Sequence, residues 1–155
     1  MMQANDKRLV KIMKYCAQAE HCTQDVMRKL ISWEVPEEEA KEMLQWLRRE
    51  KFLDDVRYAR SFVAEKWNLQ GWGKVKILHQ LLEKEIEETM ALGALNEIPE
   101  AEYQTMLERI LHVKWMELRK SQDPASIRKV AAFGLSRGFE EERIEAWVSL
   151  HEGDI

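Results

Sequence analysis

At 155 residues, with 45% hydrophobic and 34% charged side chains, the chain is too short for a large multidomain enzyme and too apolar to remain disordered. Six glycines, none before Gly71, and three prolines exclude the turn-rich pattern of an all-β fold and predict an all-α one. A net charge of −4 excludes a surface that is basic throughout, and two cysteines exclude a disulfide framework. The longest apolar run falls far short of the ~20 residues of a membrane span. The amino terminus Met1-Met2-Gln3-Ala4-Asn5-Asp6-Lys7-Arg8 has no apolar stretch behind its charges. A reduced, cytoplasmic chain without leader or membrane contact is therefore expected.

In chain order, the periodicity predicts helices over 7–20 (Leu9, Ile12, Met13, Cys16), 24–33, 37–50 (Ala40, Met43, Leu44, Leu47) and 55–68 (Ala59, Phe62, Val63, Trp67). It continues over 74–84 (Ile77, Leu78, Leu81, Leu82), 87–95, 100–120 (Tyr103, Met106, Leu107, Ile110, Leu111), 125–137 and 140–151 (Ile144, Trp147, Val148). Pro36, Pro99 and Pro124 each suit the first helical position, where the missing N–H is harmless. Asp54 and Asp55 are placed to cap the fourth helix, Gly73 opens the fifth, and Gly138 suits a left-handed residue past the eighth.

A shift of 51 residues places Val26 on Ile77, Leu30 on Leu81, Ile31 on Leu82, Val35 on Ile86 and Ala40 on Ala91. A further 53 places Ile77 on Val130, Leu82 on Leu135, Ile86 on Phe139 and Ala91 on Ile144. Such self-similarity predicts an elongated tandem array of three three-helix, helix-turn-helix-like repeats over 1–53, 54–98 and 99–155. Net charge alternates along the chain: −1, +4, −7, +5 and −5 over 1–47, 48–84, 85–108, 109–138 and 139–155. That polarity either orients a partner or reflects acids gathered at helix starts.

The stretch Phe52-Leu53-Asp54-Asp55-Val56-Arg57-Tyr58-Ala59-Arg60-Ser61-Phe62-Val63 resembles the most recognisable motif of the bacterial RecX family, regulators of the RecA recombinase. Cys22-Thr23-Gln24-Asp25-Val26-Met27-Arg28-Lys29-Leu30 is similar to the family's first-repeat Ser-x-x-Glu-Leu-x-x-Lys-Leu. Gly71-Trp72-Gly73-Lys74-Val75-Lys76-Ile77 resembles its glycine-basic opening of the fifth helix. Arg128-Lys129-Val130-Ala131-Ala132-Phe133-Gly134-Leu135-Ser136-Arg137-Gly138-Phe139 resembles its third-repeat Arg-Lys-Leu-x-x-Phe-Leu-x-x-Arg-Gly-Phe. The chain departs at Cys22 and Asp25, where the family has Ser and Glu, at Glu34 and Glu85, where many relatives carry Gly, and at Gly134, which replaces a core leucine. The resemblance implies a monomeric all-α protein that binds the RecA filament and inhibits its recombinase, ATPase and co-protease activities, with single-stranded DNA as a second ligand. The alternative is a helical single-stranded nucleic-acid-binding protein acting without RecA; a bare scaffold adaptor is a third reading.

Several residues are candidates for contact with RecA or DNA. Arg57 and Arg60 either point outward as contacts or serve the helix start that Asp54 and Asp55 mark. Arg28 and Lys29, Lys74 and Lys76, and Arg128 and Lys129 occupy comparable places near the starts of second helices, as a binding strip or a solvated face. A cation at a helix start opposes the macrodipole, which favours a functional reading of Lys74. Trp72, between two glycines, is either a stacking contact or a packing residue. Reading of the major groove is disfavoured, because Glu37-Glu38-Glu39, Glu87-Glu88 and Glu140-Glu141-Glu142 would face phosphate. Neither a nucleophile with its base nor a phosphate-cradling glycine loop occurs, and Cys16, His21 and Cys22 lack zinc spacing. No catalysis, metal or cofactor is expected.

Overall fold

The computed structural model describes residues 6–152. Residues 1–5, part of the stretch read for a leader, and 153–155 lie outside that range. Among the described residues there are nine α-helices and no strand. The helices are α1 (Lys7–Gln18), α2 (Thr23–Ser32), α3 (Glu37–Arg49), α4 (Asp55–Ala64), α5 (Lys74–Glu83), α6 (Glu88–Asn96), α7 (Glu100–Leu118), α8 (Ser126–Ser136) and α9 (Glu141–His151). No helix among the described residues is long and apolar enough to cross a membrane.

Local chemistry moves some boundaries from their expected places. Pro36 and Pro99 stand one residue before α3 and α7, with φ of −57° and −62° but extended ψ, so they turn the chain into the helix. The segment expected as one helix over 55–68 widens into a π-helical turn at Glu65–Leu69. There the Gln70 N–H donates to the Glu65 carbonyl at 3.3 Å and the Trp72 N–H to the Lys66 carbonyl at 2.9 Å. Only Asp54 caps α4, accepting from the Arg57 N–H at 3.1 Å. Asp55 turns to α2 instead, accepting from the Thr23 N–H and hydroxyl, both at 2.9 Å.

Contacts divide the chain into two compact units, Met1–Phe62 with Leu81–Ala94 and Val63–Gln80 with Leu95–Ile155. In the first, Leu9, Ile12 and Cys16 of α1, Val26 and Leu30 of α2, and Ala40, Met43 and Leu47 of α3 form the core. In the second, α8 packs on α7 and α9, and the buried side chains include Tyr103, Leu107, Leu111, Val130, Phe139, Ile144 and Val148. Gly134 fits there because a Cβ would lie 2.9 Å from Leu111 Cδ2 and 3.0 Å from Ile144 Cδ1. Those two side chains fill the space that a leucine would need.

One turn recurs at matching places in α2, α5 and α8, and α3 closes in the same way at Lys51, with φ of 64°. The helices α2, α5 and α8 each end in a residue of positive φ: Glu34 at 60°, Glu85 at 60° and Gly138 at 90°. The N–H of each left-handed residue donates at 2.9 Å, to the carbonyls of Ile31, Leu82 and Leu135. The next N–H, of Val35, Ile86 and Phe139, reaches the carbonyls of Leu30, Leu81 and Gly134 at 3.1, 3.0 and 3.2 Å. This is the Schellman arrangement, in which the residue after the left-handed one buries its apolar side chain; Val35, Ile86 and Phe139 are all buried. The positions match the 51- and 53-residue shifts, with one refinement. Leu30 and Leu81 are core residues, whereas Ile31, Leu82 and Leu135 are 48%, 41% and 48% exposed.

A non-glycine residue in the left-handed region costs roughly 1–2 kcal/mol, partly offset by the greater freedom glycine has when unfolded. Glu34→Gly and Glu85→Gly should therefore each stabilise the protein by about 0.5–1 kcal/mol. The expected result is a higher urea midpoint at unchanged slope.

Candidate partner-binding surface

The start of α5 is held by the turn that ends α8. The first amides of a helix have no partner inside it, and here they are satisfied from outside. Gly73 N–H donates to the Arg137 carbonyl at 2.8 Å, Val75 N–H to the Gly138 carbonyl at 3.0 Å, and Lys74 N–H to the Tyr103 hydroxyl at 2.9 Å. This approach of backbone to backbone requires glycine on both sides. A Cβ at Gly73 would fall 2.2 Å from the Gly138 carbonyl oxygen, and one at Gly138 would fall 2.1 Å from Lys76 Cβ. Arg137 adds a clamp, its guanidinium donating to the carbonyls of Gln70 and Gly71.

The first unit makes the equivalent contact with side chains. At the start of α2, the Gln24 amide donates to the Glu83 carbonyl at 3.2 Å and the Lys84 ammonium to Asp25 at 2.7 Å, both partners lying at the end of α5. Cys22 and Glu85 stand at the positions that Gly73 and Gly138 take one shift later. Burial pushes the Asp25 carboxyl up, but the hydrogen bonds from Lys84 and the Cys22 N–H outweigh it and leave its pKa below the ordinary value.

The interlock fixes an aromatic-cation cluster at the head of α5. Trp72 is half-buried, with the Lys76 ammonium 4.1 Å and the Lys66 ammonium 4.8 Å from its ring centroid. Lys66 reaches the ring because the π-helical turn brings its own carbonyl to the Trp72 N–H. Lys74 faces elsewhere, 4.7 Å from the Tyr103 ring and 3.9 Å from a Glu100 oxygen. Tyr103 is buried and donates to Glu140; burial and then that hydrogen bond push its phenol pKa up. Arg143 ties the same cluster together, with Nη1 2.6 Å from Glu100 and Nε 3.0 Å from Glu140. Of the two α5 cations, Lys74 is thus compensated by carboxylate, while Lys76 lies on the tryptophan.

The remaining candidates have partners of their own. Arg57 is a clasp, with Nε 2.7 Å from Glu20 and Nη1 donating to the Lys51 carbonyl at 3.1 Å. Arg60 is exposed on α4 and is itself engaged. Arg128 pairs with Glu145 at 3.2 Å, and Lys129 with Asp123 at 3.1 Å. Both sit at the start of α8, whereas the α5 cluster meets the other end of that helix. The structure therefore brings Lys66, Trp72 and Lys76 together and leaves Arg128 and Lys129 apart from them.

A second aromatic-cation group lies in the first unit. Trp33 is half-buried against the core of that unit, with the Lys11 ammonium 4.2 Å from its ring; Lys29 lies 5.3 Å from the ring of Tyr15, which stacks on His21 at 3.9 Å. The signal for it was Lys29 and Trp33 four residues apart on one helix face. Burial pushes the thiols of Cys16 and Cys22 up to about 11. Among the described residues no three His, Cys, Asp or Glu side chains converge on a metal position.

The family description "RecX, second three-helix domain" matches residues 54–95. The regulatory protein RecX of Leptothrix cholodnii is 30% identical, over 93% of this chain and 90% of that relative. The chain belongs to the RecX family. Membership assigns it to a family of regulatory proteins. The RecX of Oceanobacillus iheyensis is 25% identical over 84% of this chain, and the chain spans between 47% and 62% of the length of three curated RecX relatives. The crystal structure of RecX from Lactobacillus salivarius shares the fold, with a TM-score of 0.83 at 21% identity over 96% of both chains.

Two outcomes follow from the helix starts. Gly138→Ala combines a positive φ with a backbone clash, and should destabilise by about 3 kcal/mol or more in urea unfolding. Because the Asp25 pKa is lowered in the folded state, its contribution is present above the unfolded value near 4 and lost as pH falls through the folded one. Asp25→Asn should therefore be less stable at pH 7 and show a shallower loss of stability below about pH 4 than the parent.

Proposed function

We propose that this protein binds the RecA nucleoprotein filament and inhibits its recombinase, ATPase and co-protease activities, as a monomer in the cytoplasm and without chemistry of its own. Membership of the RecX family carries this reading: the relative at 30% identity covers nearly the whole chain and is itself a regulatory protein. The chain is organised as three three-helix units over 1–53, 54–98 and 99–155, and the family match to 54–95 supports the middle one.

The mechanism is differential binding. A protein that holds the filament state more tightly than free subunits, at a growing end or in the groove, shortens filaments by competing with subunit addition. Among the sequence candidates, Trp72 and Lys76 are placed best for that contact, since the backbone interlock presets their positions and little ordering remains on binding, while Lys74 beside them is held by Glu100. Arg57, Arg60, Arg128 and Lys129 contribute as peripheral charges that steer association.

A time course of RecA ATPase on single-stranded DNA tests the function directly. Inhibition at substoichiometric amounts is expected, and no effect at stoichiometric amounts overturns it. For the site, Trp72→Ala with Lys76→Gln should raise the concentration for half-inhibition about tenfold or more while helical content is kept. Lys74→Gln removes the neighbouring charge without setting a second carboxylate beside Glu100. An unaltered inhibition curve removes these residues from the site.

The aromatic-cation groups at Trp72 and at Tyr15 and Trp33 support a second reading, direct binding of single strands by stacking and charge. Anisotropy of labelled oligothymidylate separates the two. Tight binding whose affinity falls steeply with salt, without any effect on RecA, would establish the second reading in place of the first.

A further inference from the structure

We propose that the groove between α7 and α8 binds an acidic peptide segment of a partner protein, seating one large apolar side chain between flanking carboxylates. The groove encloses about 330 Å³ and is lined by Ile110, Val113 and Phe133, with Arg109, Lys114, Arg137 and Glu117 around them. Val113 is 60% exposed on a helix whose other side carries the core of its unit, a place where a soluble protein ordinarily sets a polar residue.

Charge selects the occupant. Three cations face one acid, and Glu117 lies 3.7 Å from the Lys114 ammonium, so that pair is already matched. Arg137 is engaged through the carbonyls of Gln70 and Gly71. Arg109 makes no hydrogen bond, ion pair or ring contact with another described residue, yet it borders the groove and two neighbouring hollows on α7. Uncompensated arginine beside an apolar floor is the usual composition of an interface anchor for carboxylates. The floor disfavours a nucleobase as occupant. Its only aromatic, Phe133, already has the Lys114 ammonium at 4.9 Å and the Arg137 guanidinium at 6.0 Å from its centroid. The other floor residues are aliphatic and offer no stacking face.

The test uses the full chain without RecA, so its outcome is independent of the proposed regulation. A random-peptide display selection against the protein should enrich sequences in which a leucine, isoleucine or phenylalanine is flanked by aspartate or glutamate. A synthetic peptide of the enriched sequence, followed by anisotropy, should lose at least tenfold in affinity to Arg109→Glu and to Val113→Glu, with helical content unchanged, and nothing to Glu117→Gln. Enrichment of basic or neutral sequences, no enrichment over the empty support, or affinity insensitive to both variants overturns the proposal. So does a result in which oligothymidylate, rather than the peptide, loses affinity in both.

Discussion

The docking of one helix start onto the turn that ends another is the interaction from which the rest of the second unit takes its form. The free amides of α5 need acceptors, and the last carbonyls of α8 need donors; each supplies what the other lacks, and the positive and negative ends of two peptide dipoles meet. Gly73 and Gly138 are the condition for that meeting, since neither position has room for a Cβ. Where the first unit has Cys22 and Glu85 instead, the backbones are joined through the amide of Gln24 and the ion pair of Asp25 and Lys84. Two solutions to one geometric problem thus coexist in one chain.

This choice sets the surface chemistry. The position that Asp25 takes in α2 is Lys76 in α5, because the backbone version needs no carboxylate to bridge to the following turn. A cation at the start of a helix is opposed by the macrodipole, and Trp72 supplies the compensation through its ring face. Lys74 finds its compensation in Glu100, within the cluster of Tyr103, Glu140 and Arg143. The second unit therefore shows a partly matched cationic patch.

Helix number and the threefold recurrence were legible in the sequence because apolar spacing and turn residues repeat with it: Val35, Ile86 and Phe139 are buried at matching places. What was not legible was the distance at which a side chain acts. Asp55 reads as a cap for its own helix, yet it serves Thr23, 32 residues away. Arg57 reads as a surface contact or a local feature, and instead reaches Glu20 across 37 residues. Ile31, Leu82 and Leu135 follow the apolar pattern and still face solvent, since the left-handed turn selects the neighbouring residue for burial. Glu34 and Glu85 adopt the glycine conformation without being glycine, so composition alone misplaced the strain.

The reliance of α5 on α8 has a bearing on how the chain is made. Some 65 residues separate the amide of Gly73 from the carbonyls that receive it, and at about 5–20 residues per second a ribosome needs roughly 3 to 13 seconds to deliver them. During that interval the middle of the nascent polypeptide carries an open helix end. Vectorial synthesis thus creates a window in which a chaperone, or a premature partner, meets this segment before its own carboxyl-terminal half arrives to close it.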